Sequence, residues 1–590
     1  GVYKISDASG SSDVWKFYNK IVDTKTGENV PYVICSNCEK TFKFGKGASS
    51  SNLKKHTCYK RQSTEESDSV PMKRLAVNIS DQLREEVLQN CLKFTCRDLQ
   101  SVEAVNSEGF KELARCLVEV GVKIGTKNFS IEDILPHSTT ISRRLHKLHL
   151  SEREKFIGDI RSFIEKGMCA STVDMWTDNK KQRNFIAFTM HYMDDKWQLK
   201  NHILFTTELE YCDDNGISQQ SENLIGAIGL KFDELNLDRN LLEKITFTTD
   251  QGSNIKKALQ HHSIVNCVVH GLNIILKHTF DKETLKSCAP NVMELITKCK
   301  SLVENLKRTG RNQMLETTVK QECSSRWNTK FEMLCSIHKN FNAIEDILEK
   351  SGETHRLFGI EKYLLDRIVN ILEPFKNLTL LLEDEKNSTI HLVLPHMHIL
   401  KEKLFKLLHE ESNNEIRSIL TNCLDNIFDT KFCPDKIHKI AAFLWPEYKQ
   451  MRYLSEFERD EVYNLVKVEL NKISMKTLQD SQSESVKMEH CIEDDMLSKY
   501  KDVHLLAVCE SQINMQIEIY KNACYTENCV LNWWRRHEDE FPLMARLARQ
   551  ILCIPASSAA SERCFSLANC ILEERRTNLK GENLDAILFL

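Results

Sequence analysis

The chain has 590 residues, 41% of them apolar, and its 80 Lys and Arg against 84 Asp and Glu leave a formal net charge of −4. That length allows roughly two to four domains with a sizeable core, and no apolar run reaches membrane-spanning length. The near-neutral balance excludes a chain that is basic throughout, so any nucleic-acid surface must be local.

Ten prolines and 19 glycines are few, which favours helix. The 22 cysteines are mostly scattered singly, which suits reduced thiols of the cytosol or nucleus rather than a disulfide scaffold. Gly1–Asp7 lacks signal-peptide character, and both ends read as trimmed.

Residues 1–60 read as a small module. Trp15, Phe17 and Tyr18 precede a strand over Val30–Ile34, and Cys35 and Cys38 follow as a Cys-x-x-Cys knuckle. A short helix carrying His56 comes about 18 residues later, and then Cys58. This is zinc-ligand spacing, and so small a segment needs the metal to fold. The His56-x-Cys58 interval is tighter than usual, which leaves Cys58 as the least secure ligand. A local charge of roughly +5 suits contact with phosphates. The aromatic residues and the Ser51-Asn-Leu-x-x-His56 segment make the module resemble a BED-type zinc finger, a DNA-binding unit.

Residues 61–72 read as a polar linker, and 73–150 as a helical segment for DNA binding or dimerisation. Phe110, Leu113, Ala114 and Leu117 mark one amphipathic face. Leu135–Leu145 reads as a turn entering a helix, where Arg143 and Arg144 meet DNA phosphates or form a solvated face.

Residues 151–270 change character from about residue 169. A short buried strand ends in acids over Ala170–Asp178, and β-rich runs follow over Asn184–Tyr192 and Trp197–Leu209, joined at Asp194–Lys196. A helix over about Glu222–Leu230, a strand ending at Asp250, a helix from Asn254 and a fifth strand over Ser263–His270 complete the set. This order is that of an RNase H-like α/β fold. It makes the strands of Asp174 and Asp250 neighbours and favours Asp174 over Asp178, which reads as a loop residue. Cys267-x-x-His270 is read as a hydrogen-bonding histidine near the active centre rather than half of a second zinc site.

Residues 271–545 read as one all-helical block. Val292, Leu295, Ile296, Cys299, Leu302, Val303 and Leu306 share a helix face, as do Phe331, Leu334, His338, Phe341, Ile344 and Leu348. Pro374 and Pro395 should bend or end their helices, and Thr477–Asp495 reads as a mobile loop. Arg326-Trp327 can stack on an unpaired base and hold a phosphate; by itself Trp327 reads more simply as filling a helix junction.

Residues 546–590 return to the catalytic fold. Pro555, Ser557 and Ser558 start a helix whose apolar stripe is Ala560, Cys564, Leu567 and Ile571, with Phe565, Ala568 and Leu572 beside it. Glu562 lies roughly 130° off that stripe. Alone it reads as a solvated glutamate; with Asp174 and Asp250 it completes three oxygen donors for a two-metal Mg²⁺ or Mn²⁺ site acting on phosphodiesters. Small Ala559, Ala560 and Ser561 should admit a large ligand beside it.

The set Asp174–Asp178, Thr249-Asp250-x-Gly252-x-Asn254, Cys267-x-x-His270, Ser325–Asn328 and Pro555–Arg563 is similar, in order, to the hAT superfamily of DNA transposases, nearest its hobo and Hermes branch. The resemblance implies cut-and-paste transposition by an Asp174–Asp250–Glu562 triad. It implies nicking at the transposon end, a hairpin on the flanking DNA and 3′-OH strand transfer into target DNA. It also implies a Trp327 that stabilises an unstacked base, with Arg326 and His270 as neighbours. The partners implied are transposon terminal inverted repeats, flanking and target DNA and further copies of the chain, in the nucleus. The alternative from another class is a domesticated, inactive BED-finger DNA-binding regulator. A purely structural helical scaffold fits poorly with the five-strand segment and its terminal acids.

Overall fold

A computed structural model of the chain describes residues 3–6, 15, 17–36, 38–44, 53, 56, 80–98, 100–125, 130–178, 182–209, 220–323, 327–428, 434–485, 504–525, 527, 529–572 and 579–590. They divide into two compact units at residue 130. Cys58, Arg326 and the expected linker 61–72 lie outside the described residues.

In the first unit, strands β1 (Tyr3–Ser6), β2 (Tyr18–Asp23), β3 (Asn29–Cys35) and β4 (Thr41–Lys43) pair antiparallel in chain order. Gly27, at φ +71°, turns β2 into β3 through backbone that a side chain would strain. Tyr18, Val33, Cys35 and Leu53 form the small core, and the Tyr18 hydroxyl donates to Leu53 O at 2.9 Å. The helices Asp81–Arg97 and Glu108–Ile124 start on serine caps, Ser80 and Ser107. The expected face on the second helix is only partly covered: Phe110, Ala114 and Leu117 are half-buried, Leu113 is exposed, and Phe110 meets Phe94 ring to ring at 5.3 Å.

The second unit is built on a five-stranded sheet of order β7-β6-β5-β8-β9. These strands are β5 (Cys169–Asp178), β6 (Arg183–Met193), β7 (Leu199–Leu209), β8 (Thr246–Thr249) and β9 (Ser263–Asn266). The first three are antiparallel, while β8 runs parallel to both β5 and β9. The β6–β7 turn is held by Asp194, whose carboxylate accepts from Lys196 N and Gln198 N. One face of the sheet buries Val173, Ile186, Phe188 and Phe205 against the helices Ser138–Glu165 and Gln220–Glu234, through Ile157, Ile160, Leu224 and Phe232. The other face, with Phe185 and Ala187, packs against Cys564, Phe565, Ala568 and Leu584 of the last two helices.

The fifth strand is shorter than expected. It stops at Asn266, and a helix runs over Val268–Thr279, because Val268, Val269, Leu272, Ile275 and Leu276 repeat at helical spacing and are buried. His270 therefore stands in a first helical turn, not at a strand end.

The helical block follows, and its large core is continuous with Ala170, Met193, Trp197 and Val265 of the sheet and with the helix Pro542–Leu552. All seven residues of the expected Val292–Leu306 face are buried in the helix Pro290–Arg308. The next expected face belongs to two helices, Trp327–Lys339 and Phe341–Lys350, divided where the Asn340 amide turns back to Ser336 O and Thr317. Pro374 does not end its helix, which continues over Lys362–Leu382. Pro395 sits in the first turn of Val393–Glu410, where a missing N–H costs little. The helix Glu456–Ser485 extends through the first half of the loop expected at 477–495; the remainder lies outside the described residues. No helix among the described residues is long and apolar enough to cross a membrane.

Candidate active site

Strand residues alternate faces, so Thr172, Asp174 and Trp176 share one face of β5. The parallel register sets Ala170 opposite Thr246 and Thr172 opposite Thr248. Carried two residues on, the same offset sets Asp174 level with Asp250, the first residue beyond β8. Asp174 is not at the end of its strand, as expected from sequence, because β6 keeps pairing with β5 as far as Asp178. It lies instead where β8 has ended and the sheet narrows, which opens a cleft beside it. Asp178 is also not in a loop: it ends β5, buried, and its carboxylate lies 3.4 Å from Arg183.

The cleft, about 190 Å³ and open to solvent, is lined by Asp174, Met175, Asp250, Gly252, Ser253, Asn254 and Ile255. Asp174 accepts from the Met175 N–H at 2.8 Å, and Asp250 accepts from the Gly252 N–H at 2.9 Å. A Cβ at position 252 would stand 2.9 Å from Asp250 Oδ1 and 3.3 Å from Oδ2, so glycine makes room for that carboxylate.

Glu562 is carried on the helix Ala559–Ile571. The buried face of that helix is Ser561, Cys564, Phe565 and Ala568, with Leu572 following; Leu567, expected on the stripe, is 55% exposed. Phe565 stacks on Trp176 of β5 at 5.9 Å between ring centroids. Ser561 is fully buried, with its hydroxyl 2.8 Å from Thr172 Oγ1, so it joins the helix to the sheet rather than admitting a ligand. Thr172 continues through a short contact with Thr189 to His191 Nε2, 3.0 Å beyond. The segment before the helix is tied down as well. Val268 N donates to Ala556 O at 3.0 Å, Ser558 N to Cys267 Sγ at 3.3 Å, and Ala556 N to Thr389 Oγ1 at 3.0 Å. Glu562, about 310 residues beyond Asp250, thus returns beside β5 through a neck at Val268 and Ala556.

Burial first, then the charge of Asp250 and more weakly that of Glu562, push the Asp174 carboxyl up to about 7, against the pull of the Met175 N–H. Among the described residues, only Cys35, Cys38 and His56 bring ligand atoms all within 4.8 Å of one another, so the three acids are not drawn that tightly. The raised carboxyl has a stability consequence. Between its unfolded value of 3.8 and about 7, the folded protein keeps a proton on Asp174 that the unfolded chain has lost. This group therefore costs stability as pH rises through that window, on the order of a few kcal/mol at the upper end. In metal-free protein, the unfolding midpoint of Asp174→Asn should gain on wild type between pH 4 and about 7 and then hold a constant lead; a difference that does not vary with pH would contradict the environment described.

The other expected site residues are spread along the chain. His270 is half-buried, its N–H donating to Cys267 Sγ at 3.4 Å, and the thiol of Cys267 is pushed up mainly by burial and also by the Glu562 charge. Trp327 begins the helix Trp327–Lys339 and packs partly buried against the helical core; its Nε1 is buried with no hydrogen-bond partner among the described residues. Arg143 and Arg144 are exposed on the helix Ser138–Glu165, which runs on past residue 150. In the first unit, Cys38 Sγ lies 3.1 Å from His56 Nε2, and Cys35 completes that cluster. Sequence reading gave no role to Thr172, Thr389 and Glu385, which bond the Glu562 helix or the segment before it, and noted Arg563 only within the Pro555–Arg563 motif. Thr172 had a local signal, being two residues from Asp174 and so on its face.

Residues 73–140 match the Hermes transposase DNA-binding domain, and residues 513–590 match the hAT family C-terminal dimerisation region. The chain is 26% identical to the transposable element Hobo transposase of Drosophila melanogaster, over 96% of this chain and 90% of that protein. It is 24% identical to a putative AC transposase of Zea mays over 78% of this chain and 61% of the relative. Zinc finger protein 618 of Homo sapiens is 20% identical over 87% of this chain, which spans about half, 51%, of that protein.

Proposed function

Because the chain belongs to the hAT superfamily of DNA transposases, we propose that it moves DNA by cut and paste, using an RNase H-like catalytic fold interrupted by the helical block. Asp174, Asp250 and Glu562 are its catalytic residues. The single observation that carries this reading is that the sheet register sets Asp174 level with Asp250 in one cleft, while Ser561, next to Glu562, is bonded to Thr172 two residues from Asp174.

The donor chemistry agrees. Three carboxylates give an all-oxygen set suited to Mg²⁺ or Mn²⁺. A pair of such ions supplies activation of the attacking water or 3′-OH and stabilisation of the leaving oxygen. The residues of the chain provide the rest. Gly252 leaves room for the Asp250 carboxylate, and the Met175 N–H orients Asp174. Trp327 stacks on a base unstacked during hairpin formation, with Arg326 and His270 beside the reacting DNA.

Residues 1–60 form a zinc-bound BED-type finger on Cys35, Cys38, His56 and Cys58. Together with residues 73–150, including Arg143 and Arg144, it grips the transposon-end duplex. Residues 151–270 and 546–590 form the catalytic domain around the insertion 271–545. Copies of the chain assemble as dimers or larger oligomers in the nucleus. The match to a dimerisation region supports the assembly.

The test is direct. Purified protein with Mn²⁺ or Mg²⁺ and a duplex carrying its element's end should nick at the element boundary and leave a hairpin on the flanking side. Binding without any nicking in either ion would replace this reading with the DNA-binding regulator.

A further inference from the structure

Three consecutive residues of the Glu562 helix point in directions about 100° apart. Ser561 points into the sheet, bonded to Thr172. Arg563 points into the helical block, where Nη2 donates to Glu383 O at 2.5 Å and Nη1 forms an ion pair with Glu385. Both partners lie on the loop that follows the helix Lys362–Leu382. Glu562 stands between these two anchored neighbours. A small cavity of about 20 Å³ lies between the helix and the loop, lined by His191, Ser388, Ala559 and Ala560 among others. The loop is itself braced: Asp384 accepts from Lys386 N and Asn387 Nδ2, and Thr389 accepts from Ala556 N.

We propose that Arg563 is a positioning residue: its hold on Glu383 and Glu385 sets the rotation of the helix, so that Glu562 faces Asp174 and Asp250. The helical block thereby acts on the third catalytic acid. This inference rests on the proposed catalytic role of Glu562. The pair is half-open to solvent, with side chains 46% and 31% exposed, so it adds little to stability. It acts through direction, because a small misplacement of a catalytic group is costly to rate.

The test compares Arg563→Ala, Arg563→Lys, Glu385→Gln and the double variant R563A/E385Q with wild type. Each full-length protein is measured for nicking kcat and KM, thermal midpoint and Mn²⁺ affinity without DNA. Arg563→Ala should lower kcat about tenfold to a hundredfold with KM and melting nearly unchanged. It should also weaken Mn²⁺ binding. Arg563→Lys should recover most of the rate. Glu385→Gln should lower kcat less, and should add nothing to Arg563→Ala. A loss seen only in KM, with Glu385→Gln silent, would overturn the proposal and make Arg563 a phosphate contact. Wild-type kcat in Arg563→Ala would overturn it too. If Arg563→Ala does not fold, Arg563→Lys and Glu385→Gln decide by the same readouts. A wild type that binds Mn²⁺ but does not nick refutes the transposase reading alone, and the Mn²⁺ affinities of the variants still judge the clamp.

Discussion

Glu562→Gln is expected to lower the single-turnover nicking rate by on the order of a thousandfold, while duplex affinity and thermal midpoint stay near wild type. The magnitude follows from the chemistry: stabilisation of transition-state charge by a held cation amounts to several kcal/mol, and about 1.4 kcal/mol is a factor of ten. Glutamine keeps the volume and removes the charge. Melting should barely respond, because Glu562 is exposed and the packing of its helix falls to Ser561, Cys564, Phe565 and Ala568. Asp174→Asn and Asp250→Asn should be as severe. Asp178→Asn is the informative control. Its carboxylate pairs with Arg183 away from the cleft, so it should lower the melting temperature and leave most of the rate. Nicking by Glu562→Gln within tenfold of wild type would remove that residue from the site.

Removal of zinc should have the second large effect. Among the described residues of this module, Tyr18, Val33, Cys35 and Leu53 are the buried apolar ones, too little apolar surface to offset the entropy of ordering the segment. Zinc held by Cys35, Cys38 and His56 would supply the missing stabilisation, since a structural zinc contributes apparent free energies of about 10–16 kcal/mol. Stripping the metal with a strong chelator should unfold this module, seen as loss of its aromatic near-ultraviolet signal. Affinity for the transposon-end duplex should fall about tenfold or more at low salt, with a shallower salt dependence. The melting transition of residues 131–590 should not move. Cys35→Ser should reproduce the loss, and Cys58→Ser should do so only if that thiol is the fourth ligand. Unchanged duplex affinity after verified zinc removal would take the finger out of the DNA contact.

The features legible in the sequence were those with short periods. Alternation in β5 and β6, the helical face of Val292–Leu306 and the acids beside paired strands could all be read locally, because each depends on neighbours within a few residues. The Glu562 helix was harder. Its stripe was read through the apolar Leu567, whereas the packed face includes the polar Ser561, whose hydroxyl finds Thr172 across the sheet. Hydrophobicity alone cannot assign a buried serine, because its partner decides the matter. The ties from Arg563 to Glu383 and from Ala556 to Thr389 span 180 and 167 residues between unlike elements, and no local pattern announces them. The extension of β5 to Asp178 depended in the same way on how far β6 kept pairing.

The neck between Val268 and Ala556 gives the molecule a freedom of its own. Since Asp174, Asp250 and the glutamate are referenced to the sheet near the point where the polypeptide departs and comes back, chain inserted far from the neck and from the Glu383–Thr389 loop has little hold on their spacing. Helices far out in that excursion can therefore lengthen, shorten or be exchanged without moving the three acids at its root.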